Sequence, residues 1–266
     1  MKGTSKAAII MAQATEIPRI AVIVLEGKGG VGKTLLAMVV TAMMREYGKN
    51  VFILDTDTTN SSTFEMEPGT KMADFSKIEV RGILDRAIKM MSLGQFAHLV
   101  MDSGARDESA IEVYLPWFEN KLRKIGVQLV IVRPITSASF VQRRASEFAE
   151  RNPAIPVVFA CNLGQGRNKQ MFERWHGSDI RAAALASGVV EFDFADAGVR
   201  WSDEANGLGL TLADVALANF SKSPEGAEIA AAEFDDDTQA WIALWLSEAV
   251  EAVRDAIFAA IANRKS

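Results

Sequence analysis

Residues 27 to 34 read Gly-Lys-Gly-Gly-Val-Gly-Lys-Thr, which fits the Gly-x-x-x-x-Gly-Lys-Ser/Thr pattern of a loop that wraps phosphate. Gly27, Gly29, Gly30 and Gly32 let the backbone turn its N–H groups inward, at the positive end of a helix that begins near Lys33. Lys33 then supplies a cation for β- and γ-phosphates and Thr34 a hydroxyl for Mg²⁺, with Val31 and Leu35 in the same phosphate-holding stretch. The apolar run Ile20 to Leu25 precedes the loop and Leu35 to Met44 follows it at helical length, the strand, loop and helix that such a motif requires. Lys28 is a second lysine, five positions before Lys33. If the loop wraps the phosphates of its own subunit, Lys28 cannot easily reach them, so it is either a solvated loop charge or a group delivered to a neighbouring subunit.

Three further positions could join this chemistry. Val51 to Leu54 is a short apolar strand that runs into Asp55-Thr56-Asp57, and His98 to Met101 is another that ends at Asp102, followed by Ser103-Gly104-Ala105. Val157 to Ala160 reads as a buried strand with Cys161-Asn162 at its end. Taken singly, each acid reads equally well as a turn or cap residue, and Asn162 as an Asn turn.

Together the boxes resemble a known family. Lys28-Gly-Gly-Val-Gly-Lys-Thr34 is similar to the deviant Walker A box of the ParA/MinD ATPases, a group that includes the nitrogenase iron protein and arsenite-pump ATPases. The resemblance implies that Lys28 crosses an ATP-closed homodimer to the partner's phosphates, and that ATP and Mg²⁺ are the cofactors. It also implies that Asp57 orients the attacking water, Asp55 supports the magnesium shell, Asp102 binds Mg²⁺ through water as a Walker B acid, and Asn162 reads the base. The chain departs from the family at Leu35, where a second Thr or Ser is common, and at Thr58-Thr59-Asn60, where many members carry Pro-Gln. The pairing of Asp55-Thr-Asp-Thr-Thr-Asn60 with Met101-Asp-Ser-Gly-Ala105 resembles plasmid-borne relatives of the TraL and StbB type, linked to conjugation and plasmid stability. The resemblance covers roughly residues 18 to 165 and almost none of the remainder.

The elements that must position these groups follow from apolar patterning. Strands are expected near 20–25, 51–54, 98–101, 127–132, 157–160 and 189–194, alternating with helices near 33–47, 82–92, 108–124 and 137–151. This is the alternation of an α/β P-loop NTPase fold with a mostly parallel, doubly wound sheet, in which ligands bind at the carboxyl ends of the strands. All four boxes fall at such ends. At 266 residues the chain is expected to form one domain over 18–266, with residues 1–17 as a disordered or docking extension whose apolar stretch is short for a signal peptide. No apolar run approaches the ~20 residues of a membrane span.

Composition narrows the chemistry. A lone cysteine, Cys161, excludes an internal disulfide and argues against an iron–sulfur role of the nitrogenase type, and His98 and His176 alone outline no zinc site. Charge is uneven, with a net +6 over residues 119–181 and a net −10 over 182–266, inside a formal total of −5. Arg143, Arg144, Arg167, Lys169, Arg174 and Arg181 could gather as a patch for non-specific DNA or be solvated helix faces. The stretch Trp241 to Phe258 is amphipathic, with Ile242, Trp245, Leu246, Ala249, Val253, Ile257 and Phe258 on one side. Its polar face is acidic through Glu248, Glu251 and Asp255, so it is expected to pack on the core or a partner rather than on a membrane, with Trp241 and Trp245 as core anchors.

By resemblance the chain is an ATP-hydrolysing, dimerising switch of the bacterial cytoplasm, able to associate with the nucleoid and served by an activator or adaptor protein. Its output would be partitioning, positioning or conjugative transfer of plasmid DNA or another large cargo. Two other readings fit the same motifs: a metabolic kinase or ligase on the same fold, and a nucleotide-gated adaptor with little hydrolysis.

Overall fold

A computed structural model describes residues 18–46, 50–58, 63, 69–75, 80–165, 172–196, 204–205, 207–216 and 224–265. The N-terminal extension, Thr59, Asn60, Arg167 and Lys169 lie outside the described residues. Strands β1 (Arg19–Val24), β2 (Val51–Asp55), β3 (Lys71–Met72), β4 (His98–Asp102), β5 (Val127–Ile135), β6 (Val157–Asn162) and β7 (Val190–Phe194) form one sheet in the order β3-β2-β4-β1-β5-β6-β7. Every pair in it is parallel. The helices are α1 (Lys33–Glu46), α2 (Val80–Ser92), α3 (Glu108–Lys124), α4 (Ser139–Arg151), α5 (Glu173–His176), α6 (Asp179–Ala186), α7 (Leu212–Val215), α8 (Pro224–Glu233) and α9 (Asp236–Lys265).

A parallel sheet covered on both faces needs strands that are apolar on both, and β1 shows how this is met. Ile20, Val22 and Val24 point into one core, with α1, α7, α8 and α9, whereas Ala21 and Ile23 point into the other, with α2, α3 and α4. β1 is the centre of the sheet, between β4 and β5, so the loop that leaves its end emerges over the middle of the carboxyl edge. Order reversal on either side of β1 opens the crevice in which doubly wound folds hold ligands. At the opposite edge, Arg19 pins the ends of two elements by donating to the carbonyls of Ile125, at 3.1 Å, and Phe96, at 3.3 Å.

The expected strands and helices are present to within about two residues at most ends. The two-residue β3 was not expected, and the C-terminal helix is longer than its apolar face suggested, running for 30 residues. α9 lies on the core, as expected: Ile242, Trp245, Leu246, Ala249, Val253 and Ile257 are buried, with Phe258 packed beside them. Trp241 is the exception to the expectation, at 43% exposed. It precedes Ile242 by one residue, about 100° around the helix, and so falls off the face that meets the core. No helix among the described residues is long and apolar enough to cross a membrane.

Candidate nucleotide site

The phosphate loop joins β1 to the first residue of α1. Gly30 and Gly32 adopt φ of 70° and 90°, the left-handed region that residues with a Cβ avoid. A Cβ on Gly32 would also stand 2.4 Å from Nδ2 of Asn162, which donates to the Val31 carbonyl at 2.8 Å. Gly32→Ala is therefore expected to combine backbone strain with a collision and to destabilise the protein by about 1–3 kcal/mol, read as a lower denaturant midpoint. Lys33 is buried at the start of α1, with Nζ donating to the Lys28 carbonyl at 3.1 Å, so its ammonium lies folded back along the loop. Leu35 turns its side chain onto the core.

The acids meet the loop from the next two strands. β4 pairs with β1 and β2 pairs with β4, and the register sets Asp55 beside Asp102. The Thr34 hydroxyl donates to Oδ2 of Asp102 at 2.8 Å, and the Thr63 hydroxyl donates to the same oxygen at 2.8 Å. The other oxygen, Oδ1, is buried and has no hydrogen-bond partner among the described residues. Burial pushes the Asp102 carboxyl above its usual range and nearby Asp57 adds to this, while Thr63, Thr34 and Lys33 pull it back. A carboxylate this costly to ionise, with one bare oxygen beside a Thr hydroxyl, suits a hydrated divalent cation.

Asp55 is fully buried and accepts the Asp57 amide on Oδ1 at 2.8 Å, a turn that carries Asp57 beyond the strand end, where it is partly exposed. Thr56 steadies this turn by donating to Asp107 at 2.6 Å and accepting the Gly104 amide at 3.0 Å. Burial raises the Asp107 carboxyl, with Asp57 and Asp74 adding to the effect against the Thr56 hydrogen bond. The structure thus unites Lys28, Lys33, Thr34, Asp102 and Asn162 at one loop and sets Asp55 and Asp57 on the neighbouring strand end. Cys161, next to Asn162, is buried, and its thiol is pushed far up by burial with help from Glu191 and Asp193. It is expected to react with a thiol reagent only when the protein is unfolded, which a titration with and without denaturant checks.

Sequence reasoning missed a buried ion network under the loop. Arg133 of β5 is completely buried and donates through Nη2 to Glu26 at 2.6 Å, and the same nitrogen lies 2.7 Å from Glu108 of α3. Arg144 of α4 binds the other Glu108 oxygen, and the Arg133 guanidinium lies 4.6 Å from the Phe148 ring centroid. Glu26 uses its remaining oxygen to accept the Lys28 amide at 3.3 Å. The one signal in sequence was a charge inside the apolar strand Val127–Ile135, a place where an unpaired arginine is not tolerated. The basic patch is also thinner than composition implied: Arg143, Arg144 and Arg174 are exposed, but Arg144 is drawn to Glu108, and the half-buried Arg181 is drawn to Glu191.

Comparison with known proteins gives a consistent picture. Residues 18–115, which hold the phosphate loop and both strand-end acids, match the family model described as ParA, NUBPL iron-transfer P-loop NTPase. Protein MobD of Acidithiobacillus ferrooxidans is 23% identical over 177 residues, covering 66% of this chain and 78% of that protein. Among solved structures, the MinD cell division protein of Aquifex aeolicus superposes with a TM-score of 0.50 at 16% identity, covering 89% of this chain and 97% of that one. The MinC:MinD complex from the same organism gives 0.51 at 15% identity, covering 89% and 96%. At these identities the structural likeness concerns the fold alone.

Proposed function

We propose that this protein is a P-loop ATPase of the ParA/MinD type, an ATP-dependent dimerising switch that hydrolyses ATP to move, position or transfer plasmid DNA or another large cargo. The observation that carries the reading is the Thr34–Asp102 contact beneath a loop that contains both Lys28 and Lys33. The loop amides and Lys33 hold the β- and γ-phosphates and neutralise charge as the γ-phosphoryl group leaves. Thr34 and Asp102 would hold Mg²⁺, which would supply positive charge to offset that of the phosphates. Asp57, carried past the end of β2 by the Asp55 turn, orients the attacking water, and Asp55 keeps that turn and the magnesium shell in place. Lys28 of a second copy completes the site. Asn162 lies beside the loop, where its side chain would contact the base as well as Val31.

The plasmid assignment rests on the Asp55 to Asn60 and Met101 to Ala105 boxes, and an activator protein, a DNA surface and a bacterial cytoplasmic setting are part of the same proposal. The iron-transfer element in the family description is not carried over, because a single buried and protonated cysteine does not supply a thiolate cluster. Phosphate release from Mg-ATP tests the reading: slow turnover that rises with plasmid DNA or with a partner from the same plasmid supports it. Turnover that responds only to a small second substrate would move the protein to the metabolic kinases and ligases instead.

A further inference from the structure

The loop and α4 form a closed ring. From the Lys28 amide it runs through Glu26, Arg133 and Glu108 to Arg144, and one turn back along α4 it returns through Phe140, whose ring lies 4.9 Å from the Lys28 ammonium. Its inner members are buried, so α4 is held in register with the loop: a Cβ on Gly27 would stand 2.2 Å from both Arg144 and Glu108. Phe140 is 51% exposed, on the first turn of α4. A large ring left in water beside a loop cation is a seat for that cation.

We propose that Phe140 is a positioning residue for the first loop lysine: it seats the Lys28 ammonium on its own subunit, and Lys28 must leave that seat to serve a second copy. The proposal rests on the dimer reading for its consequence and on the ring alone for its geometry. Losing an exposed cation–π contact of about 0.5–1 kcal/mol on each of the two copies removes the cost of leaving both seats, so Phe140→Ala tightens the ATP-bound dimer by about 5- to 30-fold. Phe140→Tyr keeps a ring and stays near wild type.

The test has two readouts on the full chain. Reductive methylation with ¹³C-formaldehyde labels the lysines while keeping their charge, and a Lys28→Arg variant assigns the Lys28 signal. Without nucleotide, that signal is expected upfield through the ring current, to lose the shift in Phe140→Ala and to keep it in Phe140→Tyr. An unshifted Lys28 signal in the wild type overturns the seat. The second readout is the dimer dissociation constant with Mg-ATP, by sedimentation, beside ADP affinity and melting temperature. A Phe140→Ala dimer that is unchanged or weaker, or one whose ADP affinity and melting temperature fall together, overturns the positioning role. A wild type that stays monomeric with Mg-ATP removes the switch reading of the preceding section and with it the positioning role, while the ring-current shift still judges the seat.

Discussion

Lys33→Ala is expected to lower ATP hydrolysis by about 10²- to 10³-fold, the loss seen when one preorganised charge-stabilising group is taken from a transition state. The side chain lies in the loop with its ammonium 3.1 Å from the Lys28 carbonyl and is only 7% exposed. A cation so placed needs a short swing, with little rotamer entropy left to lose, to meet incoming phosphate. In the proposed role it neutralises charge that grows on the γ-phosphoryl oxygens, so the expected loss falls on the chemical step as well as on binding. Alanine is a strong helix former and Lys33 is the first residue of α1, so the fold should survive. Single-turnover phosphate release and nucleotide titration separate the two losses, and far-ultraviolet dichroism checks that α1 persists. A variant with wild-type turnover would show that Lys33 does not serve phosphate.

Asp102→Asn is expected to act in opposite directions on stability and on Mg²⁺. Burial holds the Asp102 carboxyl above the ordinary range, so between its unfolded and folded pKa the native state binds more protons than the unfolded one. Stability then falls as pH rises through that window, and the full cost of the buried charge is present above it. Asparagine keeps an oxygen to accept from Thr34 and Thr63 and removes that charge, so the variant should melt higher than wild type near neutral pH without metal and should lose this part of the slope. With Mg-ATP the order reverses, because the oxygen facing the ion is lost, and Mg²⁺-dependent nucleotide binding weakens by about 10- to 100-fold. Melting curves from about pH 4 to about pH 8 in a chelator, repeated with Mg-ATP, test both halves. An Asp102→Asn protein less stable than wild type at neutral pH without metal would mean that Asp102 pays its desolvation through contacts other than these two hydroxyls.

How much of this was readable before the fold is seen depends on how local each signal is. The phosphate loop is contiguous and its glycines serve backbone shapes that only the loop requires, so Gly30 and Gly32 appear where the motif places them. Asp55 and Asp102 were legible as acids at strand ends, because a parallel strand is an apolar run and its end is marked by the first polar residue. Their pairing across β2 and β4 was not, since register is set by tertiary packing. The ring under the loop was invisible for the same reason: Glu26, Glu108, Arg133 and Arg144 are far apart in the chain and meet only when β1, β5, α3 and α4 converge. Trp241 shows the limit of helical patterning, in which an aromatic one residue off the buried stripe is apolar by type and exposed by angle. Thr63, which shares Asp102 with Thr34, carries no motif at all.

The central claim is that ATP closes two copies of this chain through Lys28, and the most direct test is the solution mass of wild type and Lys28→Ala with Mg-ATP, with Mg-ADP and without nucleotide. The account predicts that Mg-ATP alone doubles the wild-type mass, and that Lys28→Ala remains a monomer while still binding nucleotide. A wild type whose mass ignores nucleotide, or a Lys28→Ala protein that dimerises as well as wild type, would contradict it.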